Sequence, residues 1–195
     1  MARAVESWRL FWLLALALSV ANCLGLPFAD FHSAGGTNPM IEQSVRYALP
    51  LFLLAFTASS LARLWPNQLT RWLLRNRRYV GLGFAFGMAW HLSFVGYSIW
   101  SFGLSDSGLT PRGFALDLIG FIFLLLLTLT SFRSFARRLK PTHWRRLHKT
   151  GVYVIWFVAT YIYVRHVGNV VHVVASILFF AALLLRVTAR ANSRG

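Results

Sequence analysis

Acidic side chains are scarce in this chain. Five Asp and Glu stand against 20 Lys and Arg in 195 residues, a formal net charge of +15. No paired carboxylates, no HExxH and no nucleophile elbow occur, so hydrolytic and zinc-protease chemistry have no sequence footing. The one cysteine, Cys23, excludes an intrachain disulfide and a thiolate cluster and is expected to pack in the interior. No repeat, no low-complexity tract and no stretch with the composition of a soluble domain is present. A flavin-dependent reductase needs room for flavin and nicotinamide, so any reductant must come from a partner or a membrane-soluble carrier. The one glycine cluster, "GLGFAFG", follows no strand; Gly83 and Gly87, four apart in an apolar run, are expected to form a close helix contact.

Apolar residues are abundant, 57% of the chain against 13% charged, which is too little polar sequence to coat a soluble globule. Apolar stretches cover 8–28, 47–65, 79–100, 113–132, 150–164 and 170–185. At ~1.5 Å per residue and ~30 Å of hydrocarbon, the first four span unaided and the last two lie near the lower limit. The expected fold is therefore an all-α integral membrane bundle of six transmembrane helices forming one membrane domain over 1–195. The first segment has the basic start and apolar core of a secretory signal. Asn22 stands where a small residue is wanted before Cys23, however, and the apolar run continues to Phe28, so the segment is read as a retained helix.

The positive charge is one-sided. With the amino terminus inside, all of the 20 Lys and Arg except Arg46, Arg112 and Arg165 fall on the inner side, which predicts cytoplasmic termini and attraction to anionic membrane lipid rather than to nucleic acid. The longest connections are an outer loop over 29–44, with turn-favouring Gly35, Gly36, Asn38 and Pro39, and an inner segment over 133–149. After the second span, "WPNQLTRWLLRNRRY" is expected to lie as a short interfacial helix.

Six histidines occur, and an ionisable residue inside a bilayer is a functional-site hypothesis by default. His32 and His143 fall in loops. His91 follows Arg78 by thirteen residues, roughly 20 Å along an apolar helix, and is the most deeply placed. Two readings stay open: a neutral imidazole bonded across to Ser or Thr, and an axial ligand to b-type haem, whose apolar macrocycle needs a slot between helices and whose propionates need cations.

"RNRRYVGLGFAFGMAWH", "LTLTSFRSFARRLKPTHWRRLHKTGVYVIW" and the six-helix layout resemble the ferric reductase-like transmembrane family, and within it the haem-binding membrane subunits of bacterial methionine sulfoxide reductase systems. The likeness covers about residues 40–190. It implies a bacterial inner-membrane protein with one or two haem b groups, passing electrons from a cytoplasmic flavin or quinol donor, supplied by a soluble redox partner or the membrane, to an outer-side acceptor. Under it His91 and His148 match haem ligands, while Arg77, Arg78, Arg145 and Arg146 are candidates for the propionates. Where the family pattern has a further histidine, thirteen residues beyond His148, this chain has Tyr161. His148 lies only two residues beyond Arg146, so its depth differs from that of His91 by roughly 16 Å, and two nitrogens on one iron lie within ~4 Å of each other.

The substitutes for the missing ligand are, in order, His172, His166 and Tyr161; haem held by His91 alone, or no haem at all, also stays open. Asp117, a turn into the fourth span, either pairs with Arg112 or Arg46 or contacts a proton or substrate. The alternatives to an electron-transfer subunit are a haem-less six-helix scaffold and a transporter built around Asp117 and His91.

Overall fold

The backbone has no water to bond inside a bilayer, so an apolar chain of this kind must satisfy its peptide groups locally. A computed structural model describes residues 7–106, 111–165 and 168–192, and all regular structure among them is helical. Helix α1 (Trp8–Gly25) runs into a 3-10 turn (Leu26–Phe28), followed by α2 (Ala34–Leu64), α3 (Gln68–Asp106), α4 (Pro111–Ser131), the single turn α5 (Arg133–Ala136), α6 (Pro141–Arg165) and α7 (Val170–Ala191). Five segments, Trp8–Phe28, Gly35–Leu64, Gln68–Leu104, Gly113–Ser131 and Val170–Ala191, are long and apolar enough to cross a membrane. Helix α6, 25 residues long, differs in composition because its first turns hold Arg145, Arg146 and Lys149. Large apolar side chains face outward, Trp12, Leu16, Leu24, Ile177 and Leu184 being 61–67% exposed. Apolar surface on that scale is the mark of an integral membrane protein.

Three sequence expectations are corrected. The outer loop expected over 29–44 is mostly helix, because α2 begins at Ala34. Ser33 supplies the start: its Oγ accepts from the Gly36 N–H at 3.1 Å and donates to Asp30 Oδ2 at 2.7 Å. That bond and a second from the His32 N–H hold the Asp30 carboxyl below its ordinary pKa. The short interfacial helix is instead the opening of α3. Asn67 Oδ1 accepts from the Thr70 N–H at 2.9 Å while Thr70 Oγ1 accepts from the Asn67 N–H at 3.1 Å, a reciprocal cap, and no Gly or Pro interrupts the chain before Gly81. Cys23 is exposed rather than packed. The neighbouring inward position belongs to Asn22, fully buried with its Nδ2 donating to the Leu18 carbonyl at 2.8 Å, and one residue of helical rotation turns Cys23 outward.

The chain divides into two compact units, and α2 and α3 each contribute to both. The first takes residues up to 55 and 75–114. Here α3 lies close against α2 and α1. A Cβ added at Gly87 would sit 2.7 Å from Ala48 Cβ, and one at Gly83 would sit 3.0 Å from Leu14 Cδ1 and 3.3 Å from Leu51 Cδ1. The small-residue spacing thus serves helix packing, as expected. Trp90 Nε1 donates to Ser19 Oγ at 3.3 Å, and the Ser7 N–H donates to Asn76 Oδ1 at 3.0 Å. The second unit takes residues 56–74 and 115–195. Its α6–α7 hairpin is closed by Trp156 Nε1 donating to the Phe179 carbonyl at 3.0 Å and by Tyr163 packed on Phe179. Helix α4 meets α6 where Gly151 admits Leu127 and where Gly120 faces Val158.

Candidate functional site

His91 lies four residues beyond Gly87, on the same face of α3, and so meets α2 one turn from the Gly87–Ala48 contact. Its Nδ1 is 3.1 Å from the Ile41 carbonyl oxygen and 3.4 Å from Ser44 Oγ. A carbonyl only accepts, so the closer contact makes Nδ1 the protonated nitrogen and leaves the lone pair on Nε2. Ser44 itself gives its hydroxyl proton to the same carbonyl at 2.7 Å. Ser44 is fully buried and His91 half-buried. Two helical turns along, Thr37 Oγ1 donates to Ser98 Oγ at 3.2 Å. Polar groups therefore recur along the α2–α3 contact over these two turns.

His148 is bound differently. Its Nε2 lies 2.9 Å from Thr130 Oγ1, and that hydroxyl gives its single proton to the Leu126 carbonyl at 2.6 Å. Thr130 Oγ1 must then accept, which makes Nε2 of His148 the donor. The imidazole also lies over Trp144, ring centroids 4.3 Å apart, and Trp144 Nε1 donates to the Thr130 carbonyl at 3.0 Å. That carbonyl is one of the last four of α4, which no backbone N–H of the same helix reaches. Thr130, Trp144 and His148 thus join the end of α4 to the start of α6.

The remaining candidates are dispersed. His172 occupies the first turn of α7, with its ring 5.2 Å from Tyr163, and Asn169 caps that helix by accepting from the Val171 N–H at 3.0 Å. Tyr161 is 40% exposed, its hydroxyl 3.4 Å from Arg165 Nη1, and its ring stacks on Phe157. It faces away from the core of its unit, which is formed on α6 by Gly151, Ile155, Val158 and Tyr163. His166 lies outside the described residues. Arg77 is exposed, whereas the Arg78 guanidinium sits 5.8 Å from the Trp8 ring centre and 5.5 Å from that of Tyr79. Arg145 and Arg146 are both exposed, with Arg145 Nε donating to the Pro141 carbonyl at 3.3 Å. Arg46 pairs with Glu42 at 2.6 Å; the side chain of Arg112 lies outside the described residues, and Asp117 is half-buried on α4.

No group of three or more His, Cys, Asp and Glu side chains able to hold a metal ion occurs among the described residues. Haem requires only one or two axial ligands, so the donor set it needs is smaller than such a group. His91 belongs to the first unit, and His148, His172 and Tyr161 belong to the second. A feature absent from the sequence expectations is the surrounding of Tyr153: Arg186 and Arg190 place their guanidinium carbons 5.0 Å and 5.7 Å from its ring centre. Their spacing on α7, i and i+4, was the available signal. Comparison with known families, with curated proteins and with solved structures gives no match to this chain.

Proposed function

We propose that this chain is a membrane-embedded b-type haem subunit that relays electrons from a cytoplasmic flavin or quinol donor to an acceptor on the outer side. The observation that carries the reading is the Nδ1–H of His91 bonded to the Ile41 carbonyl at 3.1 Å. A ligating histidine characteristically donates its other ring nitrogen to a carbonyl or carboxylate, which fixes the tautomer and the ring orientation. Nε2 of His91 is thereby prepared as an axial donor within a span rich in aromatics. When bound, haem would supply a one-electron ferric–ferrous couple; His91 would hold its iron, and the apolar side chains of α2 and α3 would exclude water. His148 plays a positioning part, since its Nε2 proton is given to Thr130.

A second reading has its own support. The same two contacts of His91, to Ile41 and Ser44, hold α3 on α2 without any cofactor, as a haem-less scaffold would require. Absorbance spectra of the purified protein separate the two. A Soret band that sharpens and moves on dithionite reduction is expected for the haem subunit; a colourless protein from haem-replete cells sinks that reading and leaves the scaffold.

The topology that goes with this function is six spans in a bacterial inner membrane, with both termini cytoplasmic. Helix α6 supplies the sixth, its apolar part of ~23 Å over 150–164 being lengthened by Lys149 and Arg146 reaching toward the headgroups. Reporter fusions after Gly35 should read as external and those after Lys140 as cytoplasmic; an external signal after Lys140 would refute the arrangement.

A further inference from the structure

Helices α4 and α6 line an open, shallow groove of about 650 Å³ within the second unit. Its walls are apolar, with Leu116 and Ile119 from α4 and Phe157 from α6; Tyr153 lies midway along α6, and Arg146 and Lys149 stand at its basic end. From Arg146 to Phe157 the groove follows α6 for eleven residues, ~16 Å, which is about half of the ~30 Å hydrocarbon thickness of a bilayer. Its length therefore matches one leaflet, with cations at the headgroup level and apolar walls along the acyl level.

The charge at that level is unbalanced. The Arg146 and Lys149 side chains make no hydrogen bond or ion pair among the described residues. Arg186 and Arg190 flank Tyr153 and add to the positive field. Asp117 is the only acidic residue in the sequence of this unit, and it lies on α4 near Leu116, at the apolar end of the groove. An anion would balance the charge at the basic end, and an aliphatic chain suits the apolar remainder.

We infer that the α4–α6 groove binds one anionic glycerophospholipid, its phosphate held by Arg146 and Lys149 and one acyl chain lying along Tyr153, Phe157, Leu116 and Ile119. Arg engages a phosphate through its planar fork and Lys as a point charge, so the pair suits a phosphodiester. A free inorganic anion would use the cations and leave the apolar walls uncovered. The site does not depend on haem ligation by His91, which belongs to the other unit.

The test is native mass spectrometry of the full chain released from mild detergent with equal amounts of phosphatidylglycerol and phosphatidylcholine. One phosphatidylglycerol should be retained in preference by about tenfold to thirtyfold, the effect of two cations near a phosphate. R146Q/K149Q should bring that preference close to parity, while R137Q/R138Q, equally basic but outside the groove, should keep it. Val154→Trp, which fills the groove wall without removing charge, should lower retention of both lipids. Equal retention of the two lipids by the unaltered protein overturns the inference, as does an undiminished preference in R146Q/K149Q. Displacement of the lipid by glycerophosphoglycerol at the same concentration would also overturn it, because the apolar walls would then contribute nothing.

Discussion

His91→Ala is expected to lose nearly all of the haem absorbance per mole of purified protein, and His148→Ala to keep most of it. Even outer partners of a metal ligand lower metal affinity by ~10–100-fold when removed, and loss of the ligand itself should exceed that. The contrast rests on which nitrogen is left with a lone pair: Nε2 at the tip of the ring in His91, and Nδ1, on the backbone side of the ring, in His148. The proton of His91 is on Nδ1, given to the Ile41 carbonyl, so the atom on the other side of the ring can ligate. The proton of His148 is on Nε2, given to Thr130. Because alanine also removes the bond to Ile41, His91→Gln serves as a second variant: it retains an N–H for that carbonyl and lacks an imidazole. Both variants should fold and both should be colourless. Haem content equal to wild type in both would remove His91 from the site. In His148→Ala the expected loss is one bond between α4 and α6, ~1 kcal/mol of stability, with the spectrum retained.

These two histidines also show what the sequence could and could not disclose. The place of His91 within a long apolar helix followed from counting residues along an apolar run, and the glycine spacing beside it announced a tight helix contact, because both are properties of a single helix. The proton positions did not follow, since the partner of His91 is 50 residues away and that of His148 eighteen. Such contacts arise from packing and leave no local pattern. Helix starts were lost for a different reason. Gly35, Gly36, Asn38 and Pro39 read as a turn by composition, yet Pro39 near the start of α2 removes few hydrogen bonds and the Asp30–Ser33 pair sets the helix going ahead of it. At Asn67 the reciprocal bond with Thr70 did the same for α3, through a threonine in the place where glutamate is the usual partner. Arg146 and Lys149 were legible as positive charge but not as the mouth of a groove, which requires knowing that α4 lies beside α6 at Gly120 and Gly151.

Gly87→Leu is expected to prevent the protein from accumulating in a folded state, whereas Gly151→Ala should be tolerated, although both glycines lie in close helix contacts. The difference is in what each would displace. At Gly151 the obstructing atoms are Leu127 Cδ1 and, at 3.2 Å, Phe123 Cδ1, the far ends of side chains that can change rotamer. At Gly87 the obstruction is Ala48 Cβ at 2.7 Å and its Cα at 3.3 Å, and an alanine has no rotamer to change. Accommodation there must come from moving α2 away from α3, which would disturb the Ile41 and Ser44 contacts of His91 one turn along. Even Gly87→Ala should cost ~1–3 kcal/mol, the usual penalty for overpacking, and should outweigh the gain in helix propensity. Ala48→Gly in the same chain should recover much of that loss, since it removes the atom that the new methyl meets, and the coupling measured in the double-mutant cycle should be clearly non-zero. Thermal loss of the monodisperse species in detergent provides the reading for each variant. If Gly87→Ala melts with the unaltered protein, or Ala48→Gly fails to relieve it, then α2 and α3 do not meet at this pair, and the placement of His91 against Ile41 falls with it.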